Sequence, residues 1–332
     1  MNSSRILVTG GGGFLGREIV HQLRARGERV RSFGRTPQPA LTALGVEVVA
    51  GDLADAAAVE RAVAGCDAVI HTAAKAGIWG PRDSYYRPNV LGTQNVLAAM
   101  RRHGVARLVY TSTPSVVYNG ASHAGLDESQ PYGSDFPCYY PETKALAEQA
   151  VLAAQDDGKL RVIALRPHLI WGAGDPHLVP RILARAHKLR IVGEGKNRVD
   201  LTHVRHAAQA HLQALEALAT SRHPAAGRAF FISDGNPVLL WDWINTLLHR
   251  LKRPAITRRI SLPAARTAGL VMELLWRTLP FLPGEPPMTR FLATELAKDH
   301  WYAIAAARRD LGYGPKANLE AEMDELVTSS RG

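Results

Sequence analysis

Only two cysteines, Cys66 and Cys138, occur in 332 residues. Two thiols cannot staple a chain of this length, which excludes a disulfide framework and suits a reducing, intracellular setting. Cys66 sits in VAGCDAVI, at a helix end before a buried strand, and Cys138 in a loop just before Tyr139. Neither has metal-type partners nearby, so no metal site is expected. No run of about 18 uncharged apolar residues occurs, so no membrane-spanning helix is expected. The long apolar core of a secretory signal is missing where the chain runs straight into RILVTG, and a cytoplasmic protein is expected. Acidic residues are fewer than basic ones, 30 against 40, for a formal charge of +10. Yet there is no long basic run, and arginines are scattered over helix faces such as REIVHQLRARG. That distribution argues against a nucleic-acid partner and for a solvated basic surface that draws anionic cofactors, substrates or lipid surfaces. Internal repeats and low-complexity tracts are missing too.

What is present is alternation. RILVT (5–9), RVRSFG (29–34), VEVVAGD (46–52), DAVIHTA (67–73), ARLVYTS (106–112) and LRVIALRP (160–167) read as strands. Helical patterns cover 16–27, 55–64, about 85–103, and about 139–156. Such β-α alternation predicts an α/β fold with a Rossmann-type, doubly wound parallel sheet covered on both faces. After residue 167 the pattern loosens. FFIS (230–233) reads as a late strand and 204–219 as a helix rejoining the first unit. The expected division is therefore interleaved: 1–167 plus about 199–234 for the cofactor, and about 168–198 with 235–330 for a smaller substrate-binding cap. The most apolar stretch, 267–287, contains Glu273, Arg277 and Pro280, which rule out a spanning helix. A cap over an apolar substrate, an interfacial helix and ordinary core packing all fit it.

LVTGGGGFLGREIV places Gly10, Gly13 and Gly16 directly after the first strand and at the start of the first helix. Glycine is needed there for a tight turn, for close approach to a pyrophosphate, and for helix–strand packing, while the helix N-terminus receives the phosphate charge. Phe14 and Leu15 complete this cofactor loop. The next strand ends at Gly34–Arg35, where an NAD site usually carries an acid for the ribose 2′-hydroxyl. A small residue followed by a guanidinium suits a 2′-phosphate, so NADP(H) is favoured over NAD(H). Asp52 and Leu53, in GDL, end the third strand where they would meet the adenine; Asp52 reads equally as the N-cap of the next helix.

Tyr140 and Lys144, four apart in YPETK, fall on one helix face. A nearby ammonium and a positive nicotinamide would stabilise the phenolate and let Tyr140 exchange a proton with a carbinol or carbonyl oxygen. Thr113 follows the fifth strand, at the carboxyl edge where ligands bind in such sheets, and could hold the same oxygen. Tyr-x-x-x-Lys alone occurs by chance in many helices; its weight comes from the glycine loop and the strand-end hydroxyl.

Taken in order, TGGGGFLG, GDL, HTAAKAG, NVLGTQNV, YTSTPSVV, YPETK and LRPHLIWG resemble an extended short-chain dehydrogenase/reductase over essentially the whole chain. Within that superfamily the sequence is most similar to the 3β-hydroxysteroid dehydrogenase branch. AAKAGIWG, ALRPHLIWGAGDPHLVPR and the tail TRFLATELAKDHWY are similar, more narrowly, to the ketoreductases of bacterial long-chain olefin biosynthesis. Those reduce 2-alkyl-3-ketoalkanoic acids with NADPH. The resemblance implies Tyr140 as acid/base, Lys144 as its partner and ribose contact, Thr113 as third member and Ser112 as a supporting hydroxyl. It also implies Asn89 as a supporting helix residue, Ala73, Ala74 and Lys75 as the cofactor-lining turn, and Pro167 and His168 beside the nicotinamide. His168 reads equally as a packed turn residue. Tyr139 is a decoy, because position 143 is threonine. Nucleotide-sugar dehydratases of the superfamily carry an acidic pair after the threonine; Pro114 and Ser115 stand here, which argues against dehydration.

The expected substrate is large and hydrophobic, suited by Trp276, Phe281, Phe291 and Trp301 in the apolar last third, with Lys75 as the candidate cation for a carboxylate. A homodimer is expected, and the resemblance implies a complex with other pathway enzymes, a β-lactone synthetase and a decarboxylase. A hydroxysteroid-type dehydrogenase using NAD(P), and a non-catalytic NADP sensor or scaffold, are the competing readings.

Overall fold

The structure, a computed structural model, describes residues 4–156, 159–176, 178–279 and 281–329; Pro280 lies outside them. Seven strands form the central sheet: β1 (Arg5–Thr9), β2 (Arg29–Gly34), β3 (Glu47–Ala50), β4 (Ala68–His71), β5 (Arg107–Thr111), β6 (Arg161–Pro167) and β7 (Arg228–Ile232). Their spatial order is β7-β6-β5-β4-β1-β2-β3, and every pairing is parallel. Parallel strands covered on both faces must be apolar on both, and β1 shows how. Ile6 and Val8 join one core with Ile19 and Val20 of α1 (Phe14–Ala25) and Ala207 of α5 (Val204–Ala217). Leu7, pointing the other way, joins a second core. There it meets Val59 of α2 (Ala56–Val63), Val96 and Met100 of α3 (Gly92–His103), and Ala147 of α4 (Tyr139–Ala153). This is the doubly wound Rossmann-type sheet expected from the alternation. Its strand order reverses between β1 and β4, and the crevice at their carboxyl ends is where such sheets bind ligands.

One expected helix breaks. Instead of a single helix over 85–103, a short helix Arg82–Tyr86 runs into a π-helical turn, Arg87–Leu91, before α3 begins. Pro88 lies inside that turn; it has no N–H to donate, so regular helical bonding cannot pass through it.

The remaining residues build a second lobe around Trp171, Val192, Trp241, Trp243, Leu247 and Leu326. It includes a four-stranded sheet of His123–Leu126, Arg198–Val199, Val238–Leu239 and His300–Tyr302. The apolar stretch forms α6 (Leu262–Thr278), and among the described residues no helix is long and apolar enough to cross a membrane. The final helix, α7 (Leu319–Ser329), is tied to the start of α5. His206 Nδ1 lies 2.8 Å from Asp234 and Nε2 3.6 Å from Glu322, and Arg205 pairs with Glu325 at 2.6 Å.

Candidate active site

The glycine loop is held by packing no side chain could share. A Cβ on Gly16 would stand 2.1 Å from the Gly10 carbonyl oxygen, and one on Gly10, at φ 70°, would stand 3.0 Å from the Ala73 backbone. The turn after β1 and the turn after β4 therefore touch. Gly13 is the N-cap of α1 and brings no side chain to it, and the helix has no acid in its first turn. The first-turn N–H groups are thus left to an anion, which fits a dinucleotide pyrophosphate. Phe14 and Leu15 open the helix, Leu15 in the core.

Arg35 lies exposed just past β2. The space above Gly12 and Gly34 is filled by Gln38, whose Oε1 accepts from Ser32 at 2.6 Å; nothing local in the sequence signals this residue. Of the two readings of Asp52, the capping one is corrected. Asp55 caps α2, accepting from the N–H groups of Ala57 and Ala58, while Asp52 closes a turn onto Ala54 at 2.8 Å. An acid one turn closer to the helix has the reach that Asp52 lacks. Leu53 is buried under Gly92.

The turn after β4 is braced from α4. Asn89, in the π-helical turn, accepts from the Lys75 N–H at 2.7 Å and donates to the Lys75 carbonyl at 3.1 Å and to Thr143 Oγ1 at 3.0 Å. Asn89 is thereby a brace between the Ala73–Ala74–Lys75 turn and the helix carrying Tyr140. The Lys75 ammonium donates to Ser84 Oγ at 3.0 Å and lies 4.9 Å over the Tyr85 ring. Beneath runs a buried string that sequence reading missed: Thr9 Oγ1 to His71 Nδ1 at 2.6 Å, His71 Nε2 to Thr93 Oγ1 at 3.1 Å, and Thr93 to the Asn89 carbonyl at 2.6 Å. Burial and then Lys144 push His71 down to about 3, so it stays neutral.

Thr113, Tyr140 and Lys144 come together. The Thr113 hydroxyl stands close enough to Tyr140 to favour its phenolate. Thr113 also donates to Ser115 Oγ at 3.2 Å and accepts from its N–H, which starts the short 3-10 turn Pro114–Val117. Lys144 Nζ donates to the Thr111 carbonyl at 2.6 Å and lies 4.2 Å over the Tyr110 ring. Tyr139 is 40% exposed and outside this group. Lys144 was expected to draw the Tyr140 phenol down. The protein's own groups do the reverse: burial pushes Tyr140 up to about 12, against the Thr113 hydroxyl. Burial likewise pushes Lys144 down to about 7, opposed by Glu148. Desolvation outweighs the neighbour because two groups share one dry site. Tyr140 is consequently a phenol near neutral pH, the form that donates a proton.

Glu148 stands one turn beyond Lys144 and was not anticipated. It is fully buried, pairs with Arg166 at 2.5 Å through both carboxylate oxygens, and accepts from Tyr132 at 2.8 Å. The acid four residues after Lys144 and the arginine just before Pro167 were its only traces in the sequence. Ser112 Oγ and His168 Nδ1 are buried with no hydrogen-bond partner among the described residues. Pro167 ends β6 against Ile232, and His168 Nε2 meets His300 Nδ1 at 3.1 Å. His168 also lines a narrow cavity with Ser115, Tyr118, His123 and Lys298. Phe291 packs edge-on to Tyr118 at 5.1 Å, whereas Phe281 is 76% exposed. No metal is expected from the sequence; one buried group, His203, His206 and Glu322, does bring its potential ligand atoms within 4.8 Å of one another.

Residues 7–263 match the 3-beta hydroxysteroid dehydrogenase/isomerase family. A 2-alkyl-3-oxoalkanoate reductase of Stenotrophomonas maltophilia (strain K279a) is 51% identical, covering 98% of this chain and 99% of its own. A 3 beta-hydroxysteroid dehydrogenase/Delta 5-->4-isomerase of Mycobacterium tuberculosis (strain CDC 1551 / Oshkosh) is 37% identical over 97% of this chain and 89% of its own. Among solved structures, a dTDP-glucose 4,6-dehydratase (DesIV double mutant) from Streptomyces venezuelae superposes with a TM-score of 0.76. It covers 98% of this chain and 97% of its own at 22% identity, a likeness of fold. The chain belongs to the 3-beta hydroxysteroid dehydrogenase/isomerase family and is an NAD(P)-dependent oxidoreductase.

Proposed function

We propose that this enzyme is an NADPH-dependent ketoreductase. In this reading it reduces the 3-keto group of a long-chain 2-alkyl-3-ketoalkanoic acid to the 3-hydroxy acid, a step of olefin biosynthesis. The observation that carries the reading is the protonated, buried Tyr140 phenol beside Thr113 and one turn from Lys144, in a chain that shares half its residues with a reductase of that substrate class. When bound, the reduced nicotinamide supplies the hydride that adds to the ketone carbon. Tyr140 gives its proton to the ketone oxygen, completing the carbinol, and Thr113 holds that oxygen while charge develops on it. Lys144 and the Ala73–Lys75 turn hold the nicotinamide ribose side, the Gly10–Gly16 loop the pyrophosphate, Asp52 and Leu53 the adenine, and Arg35 a 2′-phosphate. Ser112 supports the carbinol oxygen, and Pro167 and His168 border the nicotinamide. The substrate chains are taken by the lobe of about 168–198 and 235–330. We place the enzyme in the cytoplasm as a homodimer, working with the other enzymes of its pathway.

The test runs the reaction backwards, because the keto acid loses carbon dioxide readily. Oxidation of a long-chain 2-alkyl-3-hydroxy acid is followed through the absorbance of the reduced nicotinamide. Turnover should need NADP+, exceed that with NAD+, and fall by about 10²–10⁴-fold in Tyr140→Phe while cofactor binding persists. Arg35→Asp should reverse the cofactor preference. Turnover of a 3β-hydroxysteroid alone would move the enzyme to the steroid branch, the direction in which the mycobacterial relative points. Undiminished turnover in Tyr140→Phe would remove the acid role.

A further inference from the structure

The segment HVRH sets His203 and His206 three residues apart at the head of α5, on one side of the helix. Glu322 reaches them from the first turn of α7. All three side chains are buried, at 1%, 8% and 5% exposure, and each offers a potential ligand atom within 4.8 Å of the others. Two atoms of the group, His203 Nε2 and Glu322 Oε2, have no hydrogen-bond partner among the described residues. A buried ring nitrogen and a buried carboxylate oxygen are costly to leave unmatched, and here both belong to one cluster.

The third member shows what the cluster lacks. His206 Nδ1 meets Asp234 Oδ1 at 2.8 Å, and Asp234 is held in turn by the His203 N–H at 2.9 Å. An ionised carboxylate only accepts, so the ring proton sits on Nδ1 and the neutral ring keeps a lone pair on Nε2. That lone pair faces the Glu322 carboxylate at 3.6 Å. Two electron-rich groups so placed need a cation between them. A second proton on His206 would serve this one pair and leave His203 Nε2 and Glu322 Oε2 as they are. A divalent ion serves all three.

Donor set and spacing suit zinc. It binds imidazole nitrogen and carboxylate oxygen at about 2.0–2.2 Å, which sets tetrahedral ligand atoms roughly 3.3–3.6 Å apart. His206 and Glu322 already stand at 3.6 Å, and bringing the whole group in from within 4.8 Å takes about an ångström. Asp234 behind His206 is the carboxylate that commonly orients a metal-bound imidazole. One bond is given up: His203 Nδ1 receives the Arg205 N–H at 3.4 Å, and ligation through Nε2 moves the ring proton to Nδ1. That bond is long, so its loss is small beside three metal–ligand bonds. We propose that His203, His206 and Glu322 bind one divalent transition-metal ion, zinc by preference, which clamps α7 to the head of α5, with Asp234 as a positioning residue. The clamp concerns how the chain is held together, not hydride transfer, and stands apart from the ketoreductase reading.

Full-length protein, made without a polyhistidine tag, is stripped with a chelator, and Zn2+ is added back while bound metal and melting temperature are followed. The wild type should take up one ion per chain and melt higher with it. Co2+ in its place should show the visible absorption of a tetrahedral site. His203→Gln and Glu322→Gln should each lose that ion and the zinc-dependent rise in melting temperature, wherever the metal-free variant melts. Asp234→Asn, acting through the His206 ring, should weaken zinc binding by about 10–100-fold. A stripped wild type whose melting temperature ignores zinc would overturn the proposal and leave a proton on His206 as the cation. That outcome needs no variant to fold. Zinc uptake that is the same in the wild type, His203→Gln and Glu322→Gln would sink it as well, by moving the ion to other histidines.

Discussion

Lys144 sits at 2% exposure with its ammonium on the Thr111 carbonyl, and that placement has a measurable signature. Its proton leaves at about pH 7 in the folded protein and at 10.5 in an ordinary lysine. Between those values the unfolded chain binds more protons than the folded one, so this group's contribution to stability rises with pH and is lost again as pH falls towards 7. The melting temperature of the wild type, relative to Lys144→Met, should therefore climb across that window; a constant difference would contradict the burial. At the same scale, the glycine loop and the Thr113–Tyr140–Lys144 group were legible because their chemistry demands particular residues at particular spacings. Gln38 and His71 were not. His71 is placed by Thr9 and Thr93, far from it in sequence, and Gln38 by Ser32 and by the space above Gly12 and Gly34, and no local pattern announces such bonds.

Elements carry a different lesson. The strands of the central sheet were readable from β-branched runs, and α4 from its period, but the short strands of the second lobe and the join of helix Arg82–Tyr86 to α3 were not. A helical period continues across Pro88, while the missing N–H turns the backbone into a π-helical step that presents Asn89 to both Lys75 and Thr143. The periodicity of α4 likewise said nothing of how it is fastened to β6. That fastening is the Glu148–Arg166 pair, buried on both sides. Breaking one partner leaves an uncompensated charge, so Glu148→Ala should lower stability by about 3–5 kcal/mol in denaturant unfolding. Glu148→Met/Arg166→Met, which removes both charges, should recover much of the loss. Equal destabilisation by the single and double variants would show that packing, not the pair, holds the helix.

For the molecule as a whole, the last helix holds the second lobe to the first. Met323, Leu326 and Val327 of α7 enter the core of Trp241 and Trp243, while Glu322 and Glu325 reach His206 and Arg205 at the head of α5. Three aliphatic side chains at about 1.5–3 kcal/mol each approach the whole stability of an ordinary domain. A protein ending at Ala317 should be recovered largely insoluble or melt far below the wild type, and Leu326→Ala should cost about 2–5 kcal/mol. A shortened chain that melts with the parent would make α7 an ornament. The interleaved order of the chain has one more consequence, for synthesis. β7 completes the sheet beside β6 only after a long excursion through the second lobe. On the ribosome, β6 must wait as an open edge until β7 has emerged, an interval in which a nascent chain is exposed to mispairing and to chaperones.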